Sequence, residues 1–491
     1  MPHLIRPLAS LLCVILSIVT PAALVAQLGE AVEIAYSAPF ARTARDYIYT
    51  MAVIDEHRTV LLVRTRGEEQ GRFQLTVVDD AAGIVRQQPV ELTYRGAALW
   101  VEAMYVHGGA VTVLGSVYHA KAGKEQLFAL SFGLDDLAPS GKARKVAEVA
   151  GPSGRRFGRW DVRVYGDRGI VAAFRDESAT RAPHGRWHAW RLDPDGTEQS
   201  HYAFDLATAE SYLFVHAVSG GGDLLASVHN RGPSGTPEQL HLLRIAGGRE
   251  MAAAASVGPG QLDGLPHVLL CLDGRVVVSG IYADSTKTLF RQEYAAESLE
   301  ILDYKERSVD FPGRVTRGPT WAETDRTESL WLGEEAREGV TLVIGDAEHL
   351  VRSREVWHLR STAQSPLPAL DRIPRDVRLV QRTQPGYGPD LRGVLLVPDG
   401  EASHLLFYDS AENVGRLTGA THPKPATRPR DYALRYLTVA PDGSLSERPV
   451  PLFTRADQQL LELGQGAPSP GGGFVVPACM GPDWRLVRIG G

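Results

Sequence analysis

The chain has 491 residues, and its 58 acidic residues exceed its 52 lysines and arginines, which gives a formal net charge of −6 at pH 7. An acidic chain gains nothing from neutralising phosphates, and no basic stripe interleaved with aromatic residues is present, so we expect no nucleic-acid partner. The three cysteines are too few for a disulfide framework and match no zinc-binding spacing, so core packing must hold the fold.

Residues 1–26 predict a cleavable secretory signal. Arg6 supplies the positive start, Leu11–Val19 the apolar centre, and Pro21–Ala26 the small-residue exit. An uncleaved membrane anchor is the alternative, but a proline interrupts the apolar run, which falls short of the ~20 residues that span a bilayer. We therefore expect a secreted or periplasmic protein with no membrane span after cleavage, in which residues 27–491 form one domain with a net charge of about −7.

The rest of the chain is organised as hairpins of apolar strands. The clearest module is Gly169–Leu206, where three strands follow one another and the Pro194-Asp195-Gly196 turn reverses the chain. Eight hairpins are predicted in all: Tyr47–Val53 with Thr59–Val63, Leu99–Val106 with Ala110–Leu114, Arg159–Val164 with Gly169–Phe174, Tyr212–Val218 with Asp223–Val228, Pro266–Leu272 with Arg275–Ser279, Val315–Trp321 with Ser329–Leu332, Leu391–Val397 with Ser403–Tyr408, and Leu460–Leu463 with Gly473–Ala478.

The spacing and chemistry of these hairpins predict an all-β fold, a β-propeller. Their second strands begin 51, 59, 54, 52, 54, 74 and 70 residues apart, which suits four-stranded blades longer than the ~40–45 residues of WD40 repeats and near the ~50 of kelch repeats. The second strands are almost continuously apolar, as expected for strands covered on both faces, and the fourth are the most polar. We expect eight four-stranded blades, with seven as the alternative because the sixth hairpin is weakly marked.

The last blade lacks one strand. Only Trp484–Ile489 follows the final hairpin, whereas Ala31–Tyr36 lies unpaired directly after the signal. The N-terminal strand of the mature chain is therefore expected to pair with Trp484–Ile489 and close the ring, which would leave no exposed sheet edge. Two segments, Ala347–Leu359 and Asp457–Leu463, are predicted to hold a helical turn or two, although neither has clear caps.

No spacing in the chain defines a reaction. Nucleophile-elbow, zinc-protease, phosphate-loop, dinucleotide and EF-hand motifs are absent from the sequence, and we expect no cofactor and no metal. His184 and His188 lie four apart, but we interpret them as surface histidines rather than metal ligands. The carboxylates best placed for glycosidase chemistry are Glu334 with Glu335, and Asp409 with Glu412, and the interpretation of all four as solvated loop charge is preferred.

Long connections predict where a ligand would bind. Asp409–Asp431 and Glu334–Ser353 are predicted as long loops on one face of the propeller, and binding groups concentrate on such loops. The first of them is locally basic through Lys424, Arg428 and Arg430 and would attract an anionic ligand such as an acidic glycan, although a solvated face is the more common explanation of such a charge run. The candidate ligand-binding residues are Tyr408, Asp409, Asn413, Arg428, Trp321 and Arg317, the tryptophan and Arg317 forming a stacking platform.

The last third of the chain resembles a group of uncharacterised secreted propeller proteins of Bacteroidetes. The similarity rests on strand and turn residues: WHLR from Trp357, IPRD at Ile373–Asp376, LLFYDSAEN at Leu405–Asn413, LTVAPDGSLSERPVPLF at Leu437–Phe453, and the closing GGGFVVPA and WRLVRIG. In that group the strand before the long loop ends in Asn-Asp with a later Asn; here Tyr408 replaces the first Asn, while Asp409 and Asn413 match. The resemblance implies the propeller fold and export, and it implies no activity.

Taken together, these features predict a binding or interaction scaffold, a monomer whose long-loop face takes a glycan or another exported protein. The alternative is a glycan-active hydrolase or lyase with carboxylates in the central funnel, and the second alternative is a structural surface protein. An enzyme is the less favoured reading. Cys271 and Cys479 are predicted on the fifth and eighth blades, too far apart for a disulfide, so both are expected to be free and buried.

Overall fold

The computed structural model describes residues 34–41, 46–65, 67, 69–151, 154, 158–164, 169–176, 185–206, 211–218, 223–230, 239–246, 250–256, 267–270, 275–282, 288–308, 315–317, 327–343, 346–362, 369–382, 394–399, 402–411, 414, 432–439, 445–448, 450, 460–461, 467–468, 474–480 and 483–489. The regular elements over these residues are β-strands. Within this part of the chain, no helix has the length and apolar character needed to cross a membrane.

The first strands of the chain are short and lead into a series of four-stranded sheets. The bounds are β1 (Ile34–Tyr36) and β2 (Phe40–Ala41); sheet 1 with β3 (Asp46–Val53), β4 (Arg58–Thr65), β5 (Arg72–Asp79) and β6 (Gly83–Glu91); a small hairpin of β7 (Thr93–Tyr94) and β8 (Ala97–Ala98); sheet 2 with β9 (Trp100–His107), β10 (Ala110–His119), β11 (Lys124–Gly133) and β12 (Arg144–Ala150); and sheet 3 with β13 (Gly158–Val164), β14 (Ile170–Asp176), β15 (Gly185–Leu192) and β16 (Glu198–Leu206).

The same pattern continues towards the C-terminus. The bounds are sheet 4 with β17 (Ser211–Val218), β18 (Leu224–Asn230), β19 (Gln239–Ala246) and β20 (Glu250–Ser256); sheet 5 with β21 (His267–Leu270), β22 (Arg275–Ile281), β23 (Thr288–Ala295) and β24 (Ile301–Ser308); sheet 6 with β25 (Val315–Arg317), β26 (Thr327–Val343), β27 (Asp346–Thr362) and β28 (Ala369–Arg382); sheet 7 with β29 (Val394–Asp399), β30 (Ala402–Ser410), β31 (Tyr432–Val439) and β32 (Leu445–Arg448); and, in sheet 8, β33 (Leu460–Leu461), β34 (Ala467–Pro468), β35 (Phe474–Met480) and β36 (Asp483–Ile489).

Sheet 8 joins the two ends of the chain. Strand β1 pairs antiparallel with β36, with Ile34 opposite Ile489 and Tyr36 opposite Val487, and β2 extends the pairing further along β36. The predicted pairing of the N-terminal strand with the last strand is therefore confirmed over Ile34–Tyr36. Both ends of the chain thus contribute to a single sheet.

Second strands are buried on both faces, as their apolar runs predict. On β4, Val60 and Leu62 belong to a core shared by sheets 1 and 2, whereas Leu61 between them belongs to a core shared by sheets 8 and 1. Alternate side chains of a strand point to opposite faces, so a strand covered on both sides must be apolar at every position. Each sheet of this region is therefore sandwiched between its neighbours.

The sheets are stacked face to face with their first strands innermost, which is the arrangement of a β-propeller. Separate hydrophobic cores join sheet 8 to sheet 1, sheet 1 to 2, 2 to 3, 3 to 4, and 4 to 5. The first strands β3, β9 and β13 contact one another in order, as do β17 and β21, and sheets 6 and 7 contact each other through β26 with β29 and β28 with β30. The predicted β-propeller fold is thus supported.

Arginines on outer strands tie consecutive sheets together. Each donates a hydrogen bond to the turn between the third and fourth strands of the following sheet, which confers order on turns that would otherwise face solvent. The pairs are Arg488 with the Asp80 carboxylate, Arg86 with the Leu134 carbonyl (2.9 Å), Arg144 with the Asp195 carbonyl, and Arg244 with the Glu297 carbonyl. Hydrogen bonds from a charged donor to such partners are stronger than neutral ones.

Sheet 6 corrects two predictions. Ala347–Leu359, predicted to hold helical turns, lies within strand β27, and Glu334–Ser353, predicted as a loop, forms part of the long β26–β27 hairpin. Strand β27 has β26 on one side and β28 on the other, so its backbone groups are paired in two ladders. Such tertiary pairing overrides a weak helical preference without caps. Of the other predicted helical segment, Leu460–Leu461 is strand β33 and the remaining residues lie outside the described part.

Candidate functional site

The residues predicted to bind a ligand are only partly described. Tyr408 and Asp409 are adjacent in β30, opposite Leu434 and Ala433 of β31, and Arg317 is the last residue of β25, opposite Leu332. Asn413, Arg428 and Trp321 lie outside the described residues. Their convergence into one site therefore stays a prediction.

The carboxylates considered for a glycosidase are placed in strands rather than loops where they are described. Glu334 and Glu335 lie in β26, with Glu334 opposite Val315, and Asp409 lies in β30. Glu412 is outside the described residues.

A different group of polar and aromatic residues comes together where the first strands of sheets 1 and 2 meet. We call Tyr47, Tyr49, Arg64, Glu102 and Ser116 the inner-strand cluster. All except Ser116 are half-buried, whereas Ser116 is fully buried. The cluster lies on β3, β4, β9 and β10, and strands β3 and β9 contact each other.

Two register shifts direct side chains into this cluster. On β3, Ile48 pairs with Val63 and Thr50 with Leu62, so Tyr49 is the extra residue of a bulge. On β9 the pairing likewise passes over Glu102. A similar shift occurs in the first strand of sheet 4, where the pairing of β17 passes over His216. Bulges re-aim a side chain and are frequent beside functional sites.

Aromatic rings form one wall of the cluster. The Tyr47 and Tyr49 ring centroids lie 6.3 Å apart, and Tyr49 meets the buried Phe73 edge-on at 5.5 Å. The Arg64 guanidinium lies 5.8 Å from the Phe73 ring centroid. The tyrosine rings are therefore held by the core while remaining partly open to solvent.

Glu102 provides the negative charge of the cluster. Ser116 Oγ donates a 2.5 Å hydrogen bond to Glu102 Oε1, which fixes the carboxylate against sheet 2. Burial raises the pKa of Tyr49, the Glu102 carboxylate raises it further, and the Arg64 guanidinium lowers it. The Tyr49 phenol on sheet 1 therefore lies within electrostatic range of both the Glu102 carboxylate of sheet 2 and the Arg64 guanidinium.

The cluster has the chemistry of a binding site. It combines hydroxyl groups, a carboxylate and a cation beside aromatic rings. Trp100 is the first residue of β9, two residues before Glu102, and it is 53% exposed. Among the described residues, no group of three or more His, Cys, Asp or Glu side chains could hold a metal ion. Such an arrangement suits a polar ligand with a face that stacks on rings.

The sequence did not predict this cluster, because the binding residues were expected on long loops rather than on first strands. A signal was nevertheless present: several first strands begin with aromatic residues, as in DYIY of β3 and WVEAMY of β9. Nothing in the sequence marks the register shifts at Tyr49 and Glu102, since these depend on pairing with β4 and β10.

A second cluster lies on the outer strands of sheet 3. His188 Nδ1 lies 3.2 Å from His201 Nε2, and the His201 ring stacks on Trp190 with centroids 4.3 Å apart. The sequence singled out His188 with His184, but His184 lies outside the described residues and the structural partner is His201. The separation of thirteen residues gives no sequence signal, because strand pairing alone joins them.

Comparisons with known proteins give similarity to propellers at low identity. No protein-family model matches the sequence, and a search of curated proteins finds no match. Among solved structures, the β-propeller domain of the Trilobed protease from Pyrococcus furiosus is 10% identical, covering 83% of this chain and 96% of that one at a TM-score of 0.34. An uncharacterized protein from Listeria monocytogenes is 9% identical over 85% and 99% of the two chains at 0.38, and the WD40 domain of SCAP from fission yeast is 8% identical over 76% and 95% at 0.33.

Proposed function

We propose that the protein is an exported, eight-bladed β-propeller that binds a glycan through the face on which its first strands begin, without transforming it. The inner-strand cluster is the observation that carries this proposal. It combines half-buried tyrosines with a carboxylate and a guanidinium, and the exposed Trp100 adjoins it. Aromatic faces and hydrogen-bonding groups together are what recognition of a sugar requires.

Strand direction supports a shared binding face. Because neighbouring strands run antiparallel, the start of each first strand lies at the same end of its sheet as the end of each second strand. Arg64 near the end of β4 and Tyr408 and Asp409 near the end of β30 therefore hold similar positions in sheets 1 and 7. This relation supports a face that includes both the inner-strand cluster and the predicted Asp409–Asp431 segment, whose basic residues would favour an acidic glycan.

Closure of the ring and export complete the proposal. The pairing of β1 with β36 and the core that joins sheet 8 to sheet 1 support a ring closed by the N-terminal strand. The sequence of residues 1–26 supports secretion or a periplasmic location. We propose a monomer, since closing the ring within one chain leaves no sheet for a second copy to complete.

Affinity electrophoresis of the mature chain, residues 27–491, tests this proposal. The protein is run through gels containing neutral or acidic polysaccharides, and retardation by at least one of them is expected. Trp100→Ala and Tyr47→Ala should abolish the retardation, whereas Val85→Ala, which alters a 46% exposed residue on the outer strand β6, should leave it unchanged. Asp409→Ala combined with Arg428→Ala should also weaken binding while leaving the fold intact.

The outcomes separate binding from catalysis. Release of reducing ends or of unsaturated sugars from the same polysaccharides would show a hydrolase or lyase and contradict the proposal. Retardation that is unaffected by Trp100→Ala and Tyr47→Ala would show that the polysaccharide binds elsewhere on the protein. Failure of every polysaccharide to retard the protein would leave an exported protein partner or a structural role as the better explanation.

A further inference from the structure

The two histidines of sheet 3 face each other across an antiparallel strand pair. In the register of β15 and β16, His201 lies opposite Trp190, and His188 lies opposite Ala203, so the histidines are diagonal neighbours. Their ring centroids are 5.5 Å apart and their planes differ by only 15°. With His188 Nδ1 and His201 Nε2 at 3.2 Å, two ring nitrogens point into one small volume.

A buried indole holds both imidazole rings in place. Trp190 is 3% exposed and packs on Trp160 with ring centroids 5.3 Å apart. The His201 ring lies nearly parallel to the indole, at 4.3 Å and 4°, and the His188 ring at 5.7 Å and 19°. Orienting the rings before a ligand arrives reduces the entropy lost on binding.

We propose that His188 and His201 form a two-histidine site for a divalent transition-metal ion of the Zn²⁺, Cu²⁺ or Ni²⁺ class. Imidazole nitrogen is a preferred ligand of these ions. An ion placed about 2.0–2.1 Å from both nitrogens, the usual Zn–N distance, would subtend an angle of about 100° between them, near the tetrahedral value. The histidine that donates the present N–H···N hydrogen bond shifts its proton to its other ring nitrogen, so both rings bind as neutral ligands.

The surroundings favour a cation. Because His188 Nδ1 and His201 Nε2 lie only 3.2 Å apart, a cation can replace the proton that the two nitrogens share. Glu198 also adds negative charge close to the pair. His201 is exposed at the outer strand, so an ion reaches the pair from solvent.

The described residues supply two ligands, and water or an outside ligand can complete the coordination. No third His, Cys, Asp or Glu joins the pair among the described residues. An ion with open coordination positions can bridge to a donor on a bound molecule. The site lies on the outer strands of sheet 3, apart from the inner-strand cluster, and does not depend on the proposed glycan function.

Copper titration of the untagged mature chain tests the inference. Calorimetry should show one tight Cu²⁺ site, and pulsed electron paramagnetic resonance at one equivalent should show two imidazole nitrogens. Zn²⁺ and Ni²⁺ should compete for it, whereas Mg²⁺ should not, because it prefers oxygen ligands. His188→Ala and His201→Ala should each weaken binding by at least about tenfold.

A matched control distinguishes this site from scattered surface histidines. His57→Ala removes a histidine whose side chain is 77% exposed on sheet 1, and it should bind copper as the parent does. Equal affinity of the parent and both sheet 3 variants would overturn the proposal. A parent spectrum with fewer than two imidazoles would also overturn it, and that measurement decides the question even if a variant folds poorly.

Discussion

The contribution of the β1–β36 junction to stability can be tested by removing one hydroxyl group. Ser37, just after β1, donates its N–H to the Leu486 carbonyl at 2.8 Å, and Leu486 N–H donates to Ser37 Oγ at 2.9 Å. The serine side chain thus acts as the acceptor that a carbonyl provides elsewhere in the ladder. Ser37 is 2% exposed and Leu486 is fully buried, so water cannot replace the hydroxyl without disturbing the core.

Ser37→Ala should lower the free energy of unfolding by about 1–3 kcal/mol. That is the usual loss when a buried N–H is left without its acceptor. Ser298→Ala is the matched control: Ser298 Oγ accepts from Glu300 N–H at 3.3 Å in an exposed turn, where water takes over. This control should change stability by no more than about 0.5 kcal/mol. Urea unfolding followed by tryptophan fluorescence measures both values.

Two results would refute the reasoning on closure. If Ser37→Ala unfolds as the parent does, or if Ser298→Ala costs as much, the bond to Leu486 does not stabilise the junction. Deletion of residues 27–38 removes the whole of β1 with the serine, and it should lower the melting temperature sharply. An unchanged melting curve for that deletion would show that the N-terminal strand does not close the fold.

Three further predictions concern the backbone, the thiols and pH. Gly169→Ala should destabilise the protein more than Gly96→Ala. Both glycines have a positive φ, which costs an alanine about 1–2 kcal/mol, but of the two only Gly169 would place the new Cβ 2.3 Å from a backbone oxygen. Equal thermal unfolding of the two variants would contradict this. Thiol titration of the denatured, non-reduced mature chain should find Cys271 and Cys479 both reactive, and finding neither would indicate a disulfide. Burial raises the pKa of Tyr105 from 10.0 to about 12, so the folded state keeps a proton that the unfolded state has lost, and Tyr105 should lower stability between about pH 10 and pH 12. Tyr105→Phe should make that fall smaller, and an unaltered profile would show that Tyr105 does not contribute to it.

Local features of the sequence were enough to predict the strand order of much of the fold. The hairpin of Tyr47–Val53 with Thr59–Val63 is found as β3 and β4, and the hairpin of Tyr212–Val218 with Asp223–Val228 is found as β17 and β18. Apolar runs, polar edges and Gly- or Asp-containing turns are short-range signals, because burial on two faces and chain reversal each require particular residue types within a few positions. The unpaired strand ending at Tyr36 followed from counting those strands.

Sheet 6 shows where such local signals fail. The segment Asp346–Thr362 carries a weak helical pattern and several charges, and its strand conformation comes from two neighbours that pair with it along its length. A second case is Leu137, which adopts a positive φ of 55° although a glycine would be expected there. Its buried side chain belongs to the core of sheets 1 and 2, and that packing holds the strained backbone.

The sequence by itself determined the β-class of the fold, the repeated hairpins and the pairing of the chain ends. Only the tertiary structure decided which side chains meet: Ser116 with Glu102 across two strands of sheet 2, and His188 with His201 across two strands of sheet 3. A shift of one position in register turns a side chain to the opposite face, and the register is set by the partner strand rather than by the residues themselves. Residues far apart in the chain therefore form the sites, while residues close together in the chain form the strands that carry them.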